Sequence, residues 1–275
     1  MPCGQSGDDG KANERDCARL SQVLVVPVSS SRVVAMSMND PSAVREQYAS
    51  EVPLETRCAV WHGDSKGRQP QDTAAASITA ALDRSRHKPT SILEVGCGTG
   101  IFAARLLAEH PTAKLVATDL SARMVELSRE RGVVAQVADV MNLPFEDASF
   151  DVVVAMWMLY HVPDLFGALA QIRRVLLPGG LFVAVTNGDE HLAGLLREAG
   201  GAPIVTGFST ENGRAALAPH FDHIEQSDLA TRAAFPDHAS AQAYLVTFDA
   251  DLAAGLPLFT GEREYAGATS VFTAR

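Results

Sequence analysis

The sequence predicts an α/β protein built on a mostly parallel seven-stranded sheet, with helices on both faces and helical insertions at its edges. Three observations predict it. Short apolar runs alternate with helical stretches from about residue 72 to 186. The first three of those runs end in glycine or aspartate. Phe150–Met156 carries apolar side chains at nearly every position, as a strand buried on both faces requires. Strands that alternate with helices make a parallel sheet with right-handed crossovers.

The elements follow in order. Asp40-Pro41 reads as a helix cap followed by proline in the first helical position, with Val44 and Tyr48 then on one face. A helix over 73–82 precedes a strand over 91–95 that stops at glycines. The next helix starts near 101 and ends before Pro111. Lys114–Thr118 is the second strand and stops at Asp119. Ser121 caps a helix running to about Arg131, and 133–138 is the third strand, ending at Asp139. After Phe150–Met156, Leu165, Leu169, Ile172 and Leu176 mark one helix face. Pro178-Gly179-Gly180 then turns the chain into a strand over 181–186. Beyond Thr186 the rhythm loosens: helical pieces near 190–199 and 210–219, a strand over 221–229, a helical insertion over 237–253 and a last strand over 269–274. Residues 1–37, rich in Gly, Ser, Asp and Arg, read as a disordered extension, with Met36 and Met38 as possible later starts. Residues 38–275 read as one domain, divided into an N-terminal lid (38–70), a core (72–186) and pocket-forming insertions with the last strands (187–275).

Composition narrows the function classes. A formal net charge of -10 gains nothing from counterion release, which disfavours a nucleic-acid partner. The four cysteines, Cys3, Cys17, Cys58 and Cys97, show no CxxC and no metal-ligand spacing, so neither a disulfide framework nor a metal site is expected. The apolar run Val23–Val28 is too short to span a bilayer and follows acidic residues. A cytoplasmic protein with no membrane partner is the expectation.

In open α/β sheets the ligand sits beyond the carboxyl ends of the strands. Those ends carry Glu94-Val95-Gly96-Cys97-Gly98-Thr99-Gly100, then Asp119, then Asp139. Glycines between strand and helix let a ligand approach the main chain. A dinucleotide site would place its third glycine at 101 or 103, where this chain has Ile101 and Ala103. Alanine is a permitted variant, so spacing alone leaves a nicotinamide cofactor open. Glu94 points elsewhere: a carboxylate two residues before the first glycine suits a cationic amine or sulfonium better than a pyrophosphate.

The run Ile92-Leu93-Glu94-Val95-Gly96-Cys97-Gly98-Thr99-Gly100 resembles motif I of the class I S-adenosylmethionine methyltransferases, whose fold is Rossmann-like. Further stretches resemble that family in order: Asp119, Asp139, Leu143–Asp151 and Leu176-Leu177-Pro178-Gly179-Gly180. The resemblance covers about 90–187 and implies S-adenosylmethionine as cofactor. It implies that Glu94, Gly96, Cys97, Gly98 and Gly100 receive the methionine end and that Asp119, with Leu120, holds the ribose hydroxyls. Asp139 and Val140 would meet the adenine. Met124 is expected to pack on the adenine, Met156 to line the site, and Tyr48 to close over the cofactor from a helical lid. Cys97 is a variable motif position and no nucleophile.

Transfer from a sulfonium needs alignment and dryness first, and a base only when the acceptor must lose a proton. Tyr48, Arg57, Trp61 and His62 before the core, and Trp157, Tyr160 and His161 after the fourth strand, are the candidates for acceptor chemistry. His161 and His62 are the candidate catalytic residues. The sequence lacks an Asn/Asp-Pro-Pro-aromatic motif and a Pro-Cys pair, which sets aside base amines and cytosine carbon. The expected acceptor is a small molecule, of secondary metabolism, methylated at O or N, with C possible. A nicotinamide-dependent oxidoreductase and a non-catalytic cofactor-binding protein are the alternatives.

Overall fold

A computed structural model describes residues 39–86 and 88–275. The expectation of a disordered extension over 1–37 lies outside the described residues.

Two short helices come first, α1 (Pro41–Gln47) and α2 (Val52–Cys58), then a two-residue strand β1 (Trp61–His62) and helix α3 (Pro70–Arg84). The alternating core follows: β2 (Ser91–Val95), α4 (Ile101–Glu109), β3 (Lys114–Asp119), α5 (Ala122–Glu130), β4 (Ala135–Val137), β5 (Phe150–Met156), α6 (Leu165–Val175) and β6 (Leu176–Asn187). The remainder comprises α7 (Ala193–Glu198), α8 (Gly213–Leu217), β7 (Ile224–Leu229), β8 (Arg232–Phe235), α9 (His238–Val246), α10 (Ala250–Gly255), β9 (Arg263–Ala266) and β10 (Thr269–Ala274).

Seven strands pair in the order β4-β3-β2-β5-β6-β10-β7. β10 runs antiparallel to both its neighbours, and the other pairings are parallel. The chain leaves β2 outward through β3 and β4, then returns to place β5 on the other side of β2. That reversal opens a crevice between the carboxyl ends of β2 and β5. The period of two in these strands fills both faces of the sheet. Ile92, Val152 and Val154 pack with α3, α4 and α5 on one side, while Leu93, Val153 and Ala155 pack with α6 on the other. All seven residues of β5 are buried.

The Pro178-Gly179-Gly180 turn lies within β6. Leu176 pairs with Phe150 and Leu181 with Val152, so residues 177–180 loop out opposite Asp151. Helix starts follow ordinary capping chemistry: Ser121 Oγ accepts the Met124 N–H at 3.4 Å, and Asp164 Oδ1 accepts that of Gly167 at 2.9 Å.

Not anticipated is a second, antiparallel sheet in the order β1-β8-β9. It joins Trp61 and His62 to Ala233 and Arg232, and with α7, α9 and α10 it builds a separate apolar cluster around Phe235, Tyr244 and Leu245. The helical insertion expected over 237–253 consists of two helices, α9 and α10, parted at Asp249, whose side chain accepts the Leu252 N–H at 3.0 Å. Among the described residues no helix is long and apolar enough to cross a membrane, and no group of side chains has the makings of a metal site.

Gly100 is fixed by packing. Its φ is +77°, and a Cβ there would lie 2.8 Å from the Ser128 Cα on α5. Gly132 has a similar φ of +81° but open space around it. Gly100→Ala should therefore cost about 2–4 kcal/mol in urea unfolding, and Gly132→Ala only about 1 kcal/mol.

Candidate functional site

A cavity of about 740 Å³ opens at the β2–β5 crevice. Its floor is the loop after β2, and its roof is the α1–α2 segment. Glu94, at the end of β2, is 1% exposed, and its Oε2 has no hydrogen-bond partner. Burial, then the nearby Asp119 carboxylate, pushes its pKa up to about 8, against a backbone N–H from Ala103 that lowers it. A buried, unsatisfied carboxylate is costly unless a cation meets it.

Gly96 follows with φ +65°, and a Cβ there would stand 2.7 Å from Met158 Cβ. Only a glycine lets the loop after β5 approach so closely. The Gly98 N–H donates to Asp119 Oδ2 at 2.9 Å, and the Ser121 N–H donates to Asp119 Oδ1 at 2.9 Å. These donors hold down a carboxyl that burial raises. Each oxygen keeps a lone pair for a ligand hydroxyl. The Cys97 thiol, raised to about 12 chiefly by burial, stays protonated at neutral pH. Asp139 starts a single 3₁₀ turn, its Oδ1 accepting the Met141 N–H at 2.9 Å, and it lines the cavity beside Val140.

The residues expected to hold the cofactor converge on this cavity, with two exceptions. Glu94, Gly96, Cys97, Gly98, Asp119, Leu120, Asp139, Val140, Met156 and Tyr48 line it. Gly100 and Met124 do not. Gly100 faces α5, as described above. Met124 is fully buried with Val125, Leu127 and Ser128 on the inner stripe of α5, so its side chain belongs to the packed core rather than to an adenine wall.

The roof is tied down at three points. The Tyr48 hydroxyl lies 2.9 Å from His161 Nε2, and the Ser121 hydroxyl donates to the Tyr48 carbonyl at 2.9 Å. Glu51 and Arg123 form a partly exposed ion pair at 3.1 Å, which solvent screens. Leu54 sits 3.2 Å from where a Gly98 Cβ would be, so α2 covers the glycine loop directly. His62 lies on β1, exposed at the cavity rim.

The far half of the cavity is aromatic, with Trp61, Tyr160, Tyr244 and Phe248. Here the structure adds residues that sequence reasoning missed. The His191 ring stacks on Trp61 at 4.4 Å, its Nδ1 is 2.9 Å from the Ala268 carbonyl, and burial lowers its pKa to about 4. Asn187 accepts the Trp157 indole N–H at 2.9 Å. Asn187 directly follows the strand predicted over 181–186, so the strand-end rule that selected Asp119 also points to it. His191 carried no comparable signal.

Residues 93–184 match the family described as "Methyltransferase domain". That match takes in about a third of the chain, from within β2 into β6. Demethylmenaquinone methyltransferase of Staphylococcus aureus is 39% identical to this chain over 116 residues, which is 40% of this chain and 48% of that protein. The enzyme of the same name from Deinococcus radiodurans is 34% identical over 110 residues, 38% and 46% of the two chains. The chain thus spans about half the length of the curated relatives it matches. Among solved structures, the [4+2]-cyclase SpnF superimposes with a TM-score of 0.56 at 21% identity, covering 90% of this chain and 98% of that one. Geranyl diphosphate methyltransferase, in complex with GPP and sinefungin, gives 0.54 at 14% identity, over 85% and 98%. At such identities these likenesses show the fold of the methyltransferase domain and no more.

Proposed function

We propose that this chain transfers a methyl group from S-adenosylmethionine to an oxygen or nitrogen of a small, ring-bearing acceptor, as a single cytoplasmic domain over 38–275. The observation that carries this reading is the Glu94 Oε2 atom, buried, unpartnered and on the cavity wall beside the glycine loop. It fits a cationic amine and repels a pyrophosphate, which favours this cofactor over a nicotinamide. The matched relatives, named for a quinone-like substrate, and the aromatic far half of the cavity support a flat acceptor.

When bound, S-adenosylmethionine supplies a methyl group on positively charged sulfur, which needs alignment and dry surroundings. Glu94 pairs with its ammonium, Asp119 with Leu120 receives the ribose hydroxyls, and Asp139 and Val140 flank the adenine. Cys97 and Met156 complete the wall. Helices α1 and α2, fastened through Tyr48, exclude water. For a hydroxyl acceptor, we assign proton removal to the Tyr48–His161 pair. Tyr48 takes the acceptor's proton at Oη as it passes its own to His161 Nε2, which then releases it to solvent. His62, exposed at the rim, has no part in that relay.

Tyr48→Phe should lower kcat about 10- to 100-fold with phenolic acceptors and leave amine acceptors within about threefold, because a neutral amine attacks without prior deprotonation. Equal losses on both classes would mean Tyr48 serves only the lid. The overall reading is tested with methyl-labelled cofactor and a panel of quinols, phenols and amines. Labelled product is expected from a ring-bearing member. Cofactor binding without transfer to any member would favour the non-catalytic alternative.

A further inference from the structure

Among the described residues, two charged side chains on the cavity wall have a buried, unpartnered polar atom: Glu94 and, of opposite sign, Arg57. Its Nε donates to the Pro53 carbonyl at 3.2 Å, but Nη2 is buried with no hydrogen-bond partner. Among the described residues no carboxylate forms an ion pair with it. The guanidinium instead lies between two rings, 5.5 Å from the Tyr48 centroid and 5.4 Å from that of Phe248. Those contacts steady a cation without neutralising it. A half-buried guanidinium whose enclosed Nη2 has a donor left over is a receptor for an oxyanion.

Which oxyanion follows from position. Arg57 lies against the rings of Tyr48 and Phe248, and its charge opposes the rise that burial gives the hydroxyls of Tyr48, Tyr160 and Tyr244. The positive group therefore sits where α2 packs on α9, among the rings that would hold the acceptor. It also adjoins Tyr48, where the acceptor's reacting hydroxyl would sit.

Building on the methyltransferase reading, we propose that the acceptor is an anionic aromatic compound and that Arg57 is the specificity-determining residue that pairs with its carboxylate. A neutral quinone carbonyl could accept from Nη2 but would leave the guanidinium charge unbalanced. An arene carrying a carboxylate next to its hydroxyl satisfies Arg57 and Tyr48 together.

The test uses a matched pair of fluorescent probes, 1-hydroxy-2-naphthoate and 1-naphthol, titrated into the full chain with and without S-adenosylhomocysteine. Wild type should bind the carboxylate at least about 30-fold more tightly than the naphthol. In Arg57→Gln that preference should fall to within about threefold, and Arg57→Lys should restore part of it, while S-adenosylhomocysteine affinity stays within about threefold throughout. Equal binding of the two probes by wild type, binding of neither, or a preference that survives in Arg57→Gln would overturn the proposal. So would a loss confined to S-adenosylhomocysteine, which would assign the guanidinium to the cofactor's own carboxylate. If wild type fails to bind S-adenosylhomocysteine, the cofactor reading is what fails. The titrations without it still decide the role of Arg57.

Discussion

Glu94→Gln is expected to stabilise the ligand-free protein at pH 9 by about 2–5 kcal/mol while weakening S-adenosylhomocysteine binding by about two orders of magnitude. The two effects have one cause. The carboxyl ionises near pH 8 in the folded chain against 4.5 when unperturbed, so the folded state binds the proton more tightly than the unfolded one. Below pH 4.5 both states are protonated and the group costs nothing. Between 4.5 and 8 the unfolded chain releases its proton first, and stability falls as pH rises. Above 8 the full difference is reached, about 5 kcal/mol at most for a shift of this size, less whatever water entry relieves. Glutamine has no charge to bury, so the variant's thermal midpoint should exceed that of wild type at pH 9 and match it near pH 4. Binding runs the other way. A cationic amine requires the ionised carboxylate, so wild-type affinity should drop by up to about tenfold per unit as pH falls from 8 to 6. Parallel melting curves for the two proteins from pH 4 to 9 would refute the assignment of a buried, protonated Glu94.

Asp119→Ala is expected to weaken the same ligand about 10- to 150-fold, equivalent to about 1.5–3 kcal/mol. Here stability should fall as well, by about 1–2 kcal/mol, because the Gly98 and Ser121 N–H groups lose their acceptor. The contrast is diagnostic. Glu94 lacks a partner for Oε2 in the ligand-free chain and its loss relieves strain, whereas Asp119 is a fixed post of the glycine loop. Asp119→Asn also removes a charge that raises the Glu94 pKa, so the pH transition of ligand binding should move downward in that variant. An Asp119→Ala protein that folds and binds with wild-type affinity would show that the ribose hydroxyls lie elsewhere.

Much of this architecture was legible in the chain because its signals are local. β2, β5 and β10 coincide with the apolar runs, and the Ser121 cap fixes the start of α5. The strand-end rule found Glu94, Asp119 and Asp139 because a parallel sheet brings all its carboxyl ends to one rim. What the sequence hid is non-local. β1 is two residues long, and the Arg232-Ala233-Ala234-Phe235 run of β8 has two alanines and too few positions to establish a period. Their pairing spans about 170 residues and becomes visible only when the second sheet forms. Met124 misled for a related reason: one turn after a cap, a side chain can face ligand or core, and the inner stripe of α5 claims it. The charge of Arg57 was plain to see, but the enclosure of its Nη2 depends on Tyr48 and Phe248 meeting from opposite ends of the chain.

The central claim is that the β2–β5 crevice binds S-adenosylmethionine through Glu94 and Asp119. Calorimetric titration of the chain with S-adenosylmethionine, S-adenosylhomocysteine and NAD in parallel tests it most directly. The account predicts saturable binding of the first two and none of NAD, with about one proton released per site at pH 7 as Glu94 ionises. Binding of NAD alone, or of S-adenosylhomocysteine with no proton release and no loss in Glu94→Gln, would contradict it.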